Sequence, residues 1–300
     1  MKRLPTMKQL EYLVALADTR HFRRAAERCH ITQSTLSAGI RDLESVLGTA
    51  VAERSNRHVL MTRVGTTIAG RAKALLREAE EMMEIAKANR APMTGELRLG
   101  VIPTIGPFLL PRVLPALRER FPELTIYLRE EQTVPLLVRL EDGEVDAALI
   151  ALPCETGDLA VEDIFEDEFL FACNRSHALA GAEAVPPDAL EGEPLMLLEE
   201  GHCLRGHALD VCGAGNTKAR AQFEASSLHT LVQMVAAGIG VTLVPRIAVE
   251  ARIAQGTGIS LAPLSAPASR RIGLAWRCTS LRAKEFRLLA GALRDVAEVA

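Results

Sequence analysis

The spacing of apolar residues changes once along the chain, near residue 90, and that change limits the fold more than any other feature. Within residues 7–47 apolar positions recur at helical intervals, broken at two places where short connections fit, and a second helical pattern runs from about Val64 to Asn89. After a break at Arg90–Gly95, which holds Pro92, the pattern becomes strand-length apolar runs separated by helical stretches. A helical head followed by an α/β body is expected, and 300 residues exceed what one small core organises. With 48% apolar and 24% charged residues, disordered and fibrous classes are excluded.

Charge divides at the same place. Residues 1–90 carry 16 Lys+Arg against 10 Asp+Glu, net +6, whereas residues 91–300 carry 19 against 28, net −9. A basic head on an acidic body predicts a nucleic-acid partner for the head alone. No apolar run approaches the roughly 20 residues of a bilayer crossing, and MKRLPTMKQLEY lacks the apolar stretch of a secretory signal. The reading is a cytoplasmic protein without a membrane partner. Six cysteines (Cys29, Cys154, Cys173, Cys203, Cys212, Cys278) are too sparse for a disulfide scaffold.

In the head, Leu10, Leu13, Val14 and Ala17 form one stripe, and Phe22, Ala25 and Ala26 begin a second. A third helix is predicted from the cap Thr32 to Gly48, with Leu36, Ile40, Leu43 and Leu47 sharing the buried face. Its other side holds Gln33, Ser34, Thr35, Ser37 and Arg41, side chains able to reach base edges and phosphates. On one helix alone, such a face equally suits plain solvation. The context favours DNA: Arg20, Arg23, Arg24 and Arg28 precede the helix, and ERSNRHVLMTR follows it with Arg54, Arg57 and Arg63. Three helices and a basic hairpin read as a winged helix-turn-helix over 1–63. Its assigned DNA contacts are Arg23, Gln33, Ser34, Thr35, Ser37, Arg41, Arg54 and Arg57.

Residues 64–92 read as a linker helix. Ile68, Ala72, Leu75, Ala79, Met82 and Ala86 follow a four-three-four-three-four spacing, a coiled-coil seam. A twofold dimer covers such a stripe economically; docking on the chain's own core is the other solution. In the body, residues 93–300, ELRLGVI, LTIYLRE and DAALIAL read as strands separated by helices, hence a parallel sheet. Further strands are predicted at PLMLL, ARAQF, IGVTLVP and RRIGLAWR, with helices at Ser227–Gly238 and Leu281–Val299. Two α/β subdomains fit this count, with any ligand in the cleft between them.

LEYLVALADTRHFRRAAERCHITQSTLSAGIRDLE and the Glu53–Thr62 segment resemble the LysR-type transcriptional regulators over essentially the whole chain. GVIPTIGPFLLP, EEQT, LLEEGHCLR with a second Cys after eight intervening residues, and LVQMVAAGIGVTLVP resemble the OxyR branch, the hydrogen-peroxide sensors. Ser34, Gly39 and Asp42 depart from the branch pattern, and Gly39 costs the helix about 1 kcal/mol relative to Ala. The resemblance implies two periplasmic-binding-protein-like subdomains, I at about 95–167 and 272–300, and II at about 168–271. It also implies double-stranded promoter DNA, RNA polymerase and a tetramer as partners, with glutathione or thioredoxin systems as reductant.

Under that resemblance Cys203 is the peroxidatic thiol. A helix beginning there, with His202 and Arg205 as polar or cationic neighbours, is expected to favour its thiolate. Cys212 is the candidate resolving thiol, and Thr104, Thr133, His202 and Arg270 are placed around the peroxide by resemblance. A helical Cys203–Cys212 segment would hold the thiols roughly 13 Å apart, so a disulfide requires refolding of residues 203–215, which Gly206, Gly213 and Gly215 ease.

Cys29, Cys154, Cys173 and Cys278 read as buried core residues, and His177 and His229 as surface or cap residues. No cofactor is implied. His202, Cys203, His207 and Cys212 do not match structural zinc spacing, so no metal is assigned. Two rival functions remain: a LysR-type regulator of a metabolic operon with a small effector in the cleft, and a thiol peroxidase or disulfide oxidoreductase. The latter lacks Cys-x-x-Cys, and one reaction per reduction cycle does not make the chain an enzyme.

Overall fold

The computed structural model describes residues 4–54, 59–87, 92–211 and 224–298. They form two compact units, Met1–Arg90 and Ala91–Ala300.

The first unit runs α1 (Met7–Thr19), α2 (Phe22–Arg28), α3 (Gln33–Leu47), β1 (Ala52–Arg54), β2 (Val59–Met61) and α4 (Arg63–Lys87). Each of the first three helices has a side-chain cap for its unpaired N–H groups. Thr6 and Gln9 make a capping box on α1, the His21 ring accepts from Arg23 and Arg24 N–H on α2, and Thr32 accepts from Thr35 N–H on α3. Gly48 ends α3 at φ 68°. Leu36, Ile40 and Leu43 are buried against Leu13, Leu16 and Ala25. Gly39 is not a plain helix penalty as the sequence suggests. A Cβ there would lie 2.5 Å from Tyr12 Cδ2, so the glycine permits close packing of α3 on α1. β1 and β2 pair antiparallel with Ala52 opposite Met61. The start of α4 packs on its own unit through Ala69, Ala72 and a 3.2 Å Lys73–Asp18 ion pair, but Leu75 and Met82 of the seam are 48% and 69% exposed.

The second unit contains β3 (Gly95–Val101), α5 (Gly106–Arg120), β4 (Leu124–Glu130), α6 (Thr133–Glu141), β5 (Ala147–Leu152) and β6 (Leu159–Asn174). There follow β7 (Leu197–Leu198), α7 (Cys203–Val211), β8 (Glu224–Ala225), α8 (Leu228–Ala236), β9 (Thr242–Pro245), α9 (Arg246–Glu250), β10 (Ile259–Pro263), β11 (Ser269–Arg277) and α10 (Ala283–Glu298). The main sheet has the order β10-β6-β11-β5-β3-β4, with β9 also on β6. β3 is parallel to β4 and β5, as the alternation of strands and helices predicts, but β11 is antiparallel to both β5 and β6. The sheet is therefore mixed, because the C-terminal strand returns and inserts between β5 and β6.

β6 joins the two halves of this unit. Its first part pairs with β11, and its last part pairs with β10 and β9. Arg270 stands opposite Asp167 at the crossing point. PLMLL contributes only the short β7, and ARAQF lies outside the described residues.

Candidate functional site

The deepest polar feature of the second unit is the Arg270 side chain on β11. It is fully buried, as is Asp167 on β6. Two Arg270 nitrogens contact Asp167 Oδ2 at 3.0 and 2.9 Å. The remaining donors go to Thr104, its Oγ1 at 2.9 Å and its backbone carbonyl at 3.0 Å. Asp167 also accepts from Ile247 N–H at 3.0 Å. Burial pushes the Asp167 carboxyl above its usual range, opposed by the Arg270 charge and these hydrogen bonds. All three guanidinium nitrogens are thus engaged, and Thr104 is fixed in place ahead of α5.

Arg270 lies 6.0 Å from the centre of the Phe169 ring, and that ring is 6.2 Å from the ring of His207 on α7. His207 Nε2 is 3.4 Å from the Pro153 carbonyl oxygen. Because a carbonyl only accepts, Nε2 carries the proton. The buried Nδ1 has no hydrogen-bond partner among the described residues, and burial holds the His207 pKa below its usual value. Cys203, half-buried, opens α7 one turn before His207 on the same helical face.

A second set of contacts approaches α7 from α6. Thr133 is the first residue of α6, and its buried Oγ1 has no partner among the described residues. The preceding Gln132 donates to Glu199 Oε1 at 3.3 Å and lies against Gly201, where any Cβ would be 2.2 Å from Gln132 Oε1. Gly201 has φ 99°, so both its backbone and its surroundings require glycine. His202 follows, buried, with Nε2 3.9 Å from Glu199. Burial lowers its pKa, which favours the polar over the cationic form of the neighbour the sequence suggests. Arg205 does not supply that charge freely either; it bonds the Leu198 carbonyl and pairs with Glu224 at 2.9 Å.

Direct bonds join Thr104 and Arg270; Thr133, His202 and Cys203 adjoin through Gln132, Gly201 and α7. Cys212 lies outside the described residues. Sequence reasoning missed Asp167, Phe169 and Gln132, and gave His207 only as a rival metal ligand. Among the described residues no group of three or more His, Cys, Asp or Glu side chains is arranged to hold a metal. A charged cleft lined by Arg112, Arg246, Glu166 and Glu250 also reaches Asp167, yet neither Cys203 nor Thr133 lines it.

The remaining cysteines do not form one class. Cys173 is buried, Cys29 and Cys154 are half-buried, and Cys278 is exposed, which departs from the reading of all four as core. Burial, with the nearby Cys203, pushes the Cys154 thiol up to about 11.

On the first unit, Gln33, Ser34, Thr35 and Arg41 are exposed and Ser37 is half-exposed. The Ser34 and Thr35 hydroxyls each sit 2.8 Å from Thr32 Oγ1, and Arg41 donates to Ser37 at 3.3 Å. Arg23 is exposed and paired with Glu27 at 3.1 Å. Arg54 ends β1, while Arg57 lies outside the described residues.

Residues 7–66 match the bacterial regulatory helix-turn-helix protein, lysR family, and residues 90–298 match the LysR substrate binding domain. The DNA-binding transcriptional dual regulator OxyR of Escherichia coli K12 is 42% identical over 289 residues, covering 96% of this chain and 94% of the relative. The chain belongs to the OxyR branch of the LysR family. Among solved structures of this branch, full-length OxyR from Pseudomonas aeruginosa, a cysteine-to-aspartate variant, is 35% identical with a TM-score of 0.79, covering 97% of this chain and 95% of that one. The hydrogen-peroxide-bound cysteine-to-serine variant of Corynebacterium glutamicum OxyR is 35% identical with a TM-score of 0.68, covering 100% and 94%. As a LysR-family chain, this one carries a DNA-binding first unit and an α/β regulatory second unit. No described helix is long and apolar enough to cross a membrane.

Proposed function

We propose that this chain is a cytoplasmic transcription regulator that senses hydrogen peroxide through Cys203 and controls oxidative-stress genes. One observation carries the reading: Cys203 opens α7 one turn before His207, whose ring neighbours the Phe169 ring, and Phe169 lies under Arg270, which Thr104 and Asp167 hold in place. The peroxide-inducible regulators among its relatives support it.

Peroxide both donates and accepts hydrogen bonds, and the surrounding groups offer both. The Thr133 hydroxyl has no other partner among the described residues. Thr104 Oγ1 accepts from Arg270, which leaves its own proton to donate. His202, kept neutral by burial, bonds the Ser226 backbone through its ring N–H, which leaves the other nitrogen as an acceptor. The Cys203 thiolate attacks one peroxide oxygen, the O–O bond breaks, and hydroxide leaves after which Cys203 is a sulfenic acid. Arg270 acts on the departing charge through Thr104, and its own position is set by Asp167.

Cys212 then closes the disulfide and releases water. α7 is helical from Cys203 through Val211, so a bond to the residue after Val211 needs that helix to open. We assign this opening as the switch. We also assign residues 1–63 to DNA reading and 64–92 to dimerisation. Residues 93–300 are assigned to sensing, with subdomains at about 95–167 with 272–300 and about 168–271. The change of β6 from β11 to β10 and β9 pairing supports that last division. Promoter DNA, a tetramer, RNA polymerase and a glutathione or thioredoxin reductant complete the proposal, and no cofactor is required.

The test is peptide mapping of the reduced chain after brief equimolar hydrogen peroxide, with free thiols alkylated at quench. Trypsin cuts after Arg205 and so separates Cys203 from Cys212. A Cys203–Cys212 crosslink with the other four cysteines alkylated is expected. Alkylation of all six ends the redox reading. Cys203→Ser is expected to lose the peroxide response and keep DNA binding.

A further inference from the structure

α7 is tied to the connection between β5 and β6 at one point. His207 Nε2, in the second turn of α7, bonds the carbonyl of Pro153, and the next residue in the chain is Cys154. Cys203 lies one turn from His207 on the same face, about 6 Å along the axis. Both cysteines are half-buried and pack on the same core. They are near enough that charge on one is felt by the other. No role above uses Cys154.

We propose that Cys154 is a second thiol partner for Cys203, forming a disulfide that staples α7 to the β5–β6 connection without opening the helix. The inference rests on the peroxide reading of Cys203. Peroxide oxidises the Cys203 thiolate by two electrons to the sulfenic acid, with the O–O bond broken and hydroxide leaving. The Cys154 thiol then gives up its proton, its sulfur attacks the Cys203 sulfur, the S–S bond forms and the S–OH bond breaks. The hydroxide and that proton leave as water, so two thiols and one peroxide give one disulfide and two waters.

The two disulfides have opposite mechanical consequences. Pairing with the residue beyond Val211 demands that α7 open, whereas pairing with Cys154 fixes α7 in its present place. A Cys154–Cys203 bond is therefore a non-signalling branch that spares the sulfenic acid from further oxidation while holding the unswitched helix. Burial keeps the Cys154 thiol protonated at neutral pH, which makes this the slower branch while Cys212 is available. Of the other described cysteines of the second unit, Cys173 is buried and Cys278 exposed, and no described contact ties either to α7.

The experiment uses the full chain carrying Cys212→Ser, reduced, treated with equimolar hydrogen peroxide and alkylated at quench. Cleavage at glutamates separates Cys154 from Cys173, because Glu155, Glu162, Glu166 and Glu168 intervene. A peptide pair crosslinked through Cys154 and Cys203, absent from a Cys154→Ser/Cys212→Ser chain, is expected. The double variant is further expected to accumulate Cys203 sulfinic acid at least several-fold faster. If Cys203 is oxidised in Cys212→Ser while Cys154 is fully alkylated, this inference fails and the sensing role of Cys203 stands. If Cys203 stays unoxidised there and in the unsubstituted chain, both fail.

Discussion

Asp167 and Arg270 face each other across β6 and β11, and their side chains are 1% and 0% exposed. The pair lies where β6 passes from one half of the sheet to the other, and it fixes Thr104 and the start of α9 as well. A buried ion pair of this kind is costly to form but costlier to break, since removing one partner strands the other charge.

Asp167→Ala is therefore expected to destabilise the second unit by about 3–5 kcal/mol. The readout is urea unfolding followed through the fluorescence of Trp276, the single tryptophan, which lies on β11. The same variant releases Arg270 from its anchor and slows peroxide oxidation of Cys203. Stability within 1 kcal/mol of the parent would remove the pair from this role.

His202 and His207 share the sign of their perturbation. Burial lowers both pKa values below the unfolded-chain value near 6.5. In the window beneath 6.5 the unfolded chain binds protons that the folded chain does not, so stability falls as pH falls through it. His207→Gln keeps a side chain able to donate to Pro153 and removes one titration. Its loss of stability between pH 7.5 and pH 5.5 is expected to be smaller than the parent's. Equal losses would show that His207 titrates normally.

Gly39 carries an unusual expectation. Glycine to alanine inside a helix ordinarily stabilises by about 1 kcal/mol, but here the added methyl meets the Tyr12 ring. Gly39→Ala is expected to leave the melting temperature of the first unit unchanged or lower, as overpacking offsets the backbone gain. A clear rise, followed by circular dichroism, would mean that the ring yields freely.

The sequence was most informative where local chemistry decides structure. Thr32 and Gly48 mark the ends of α3 because capping depends on adjacent residues, and the Leu36–Ile40–Leu43 face followed from spacing alone. β6 was missed although it is the longest strand. Glu162, Asp163, Glu166, Asp167 and Glu168 interrupt its apolar pattern, and a register shift opposite Ile272/Gly273 breaks its alternation. Arg270 and Thr104 were named from resemblance, but their direct bond spans 166 positions of sequence. Cys154 shows the same limit, since only tertiary contact between α7 and Pro153 separates it from an inert core cysteine.

Arg41 is exposed on α3 and held along the helix by Ser37. If it neutralises a phosphate, Arg41→Ala is expected to weaken promoter binding and to reduce the slope of log affinity against log salt by about 1. Titrations at several salt concentrations read this directly. Loss of affinity with an unchanged slope would instead place Arg41 against a base edge.

The exposed part of the α4 seam gives the last expectation. Ala72 is buried on its own unit, but Leu75 and Met82 stand 48% and 69% exposed on the continuing stripe. If a second copy of the same helix covers that stripe, as proposed, the two seams bury one another. A charge at either position would sit in the seam unpaired. Leu75→Glu combined with Met82→Glu is therefore expected to raise the dimer dissociation constant at least tenfold, measured by sedimentation velocity. The substitutions leave Ala69, Ala72 and the Lys73–Asp18 pair in place, so the first unit should keep its helical content. Unchanged association of a folded double variant would move the dimer contact off α4.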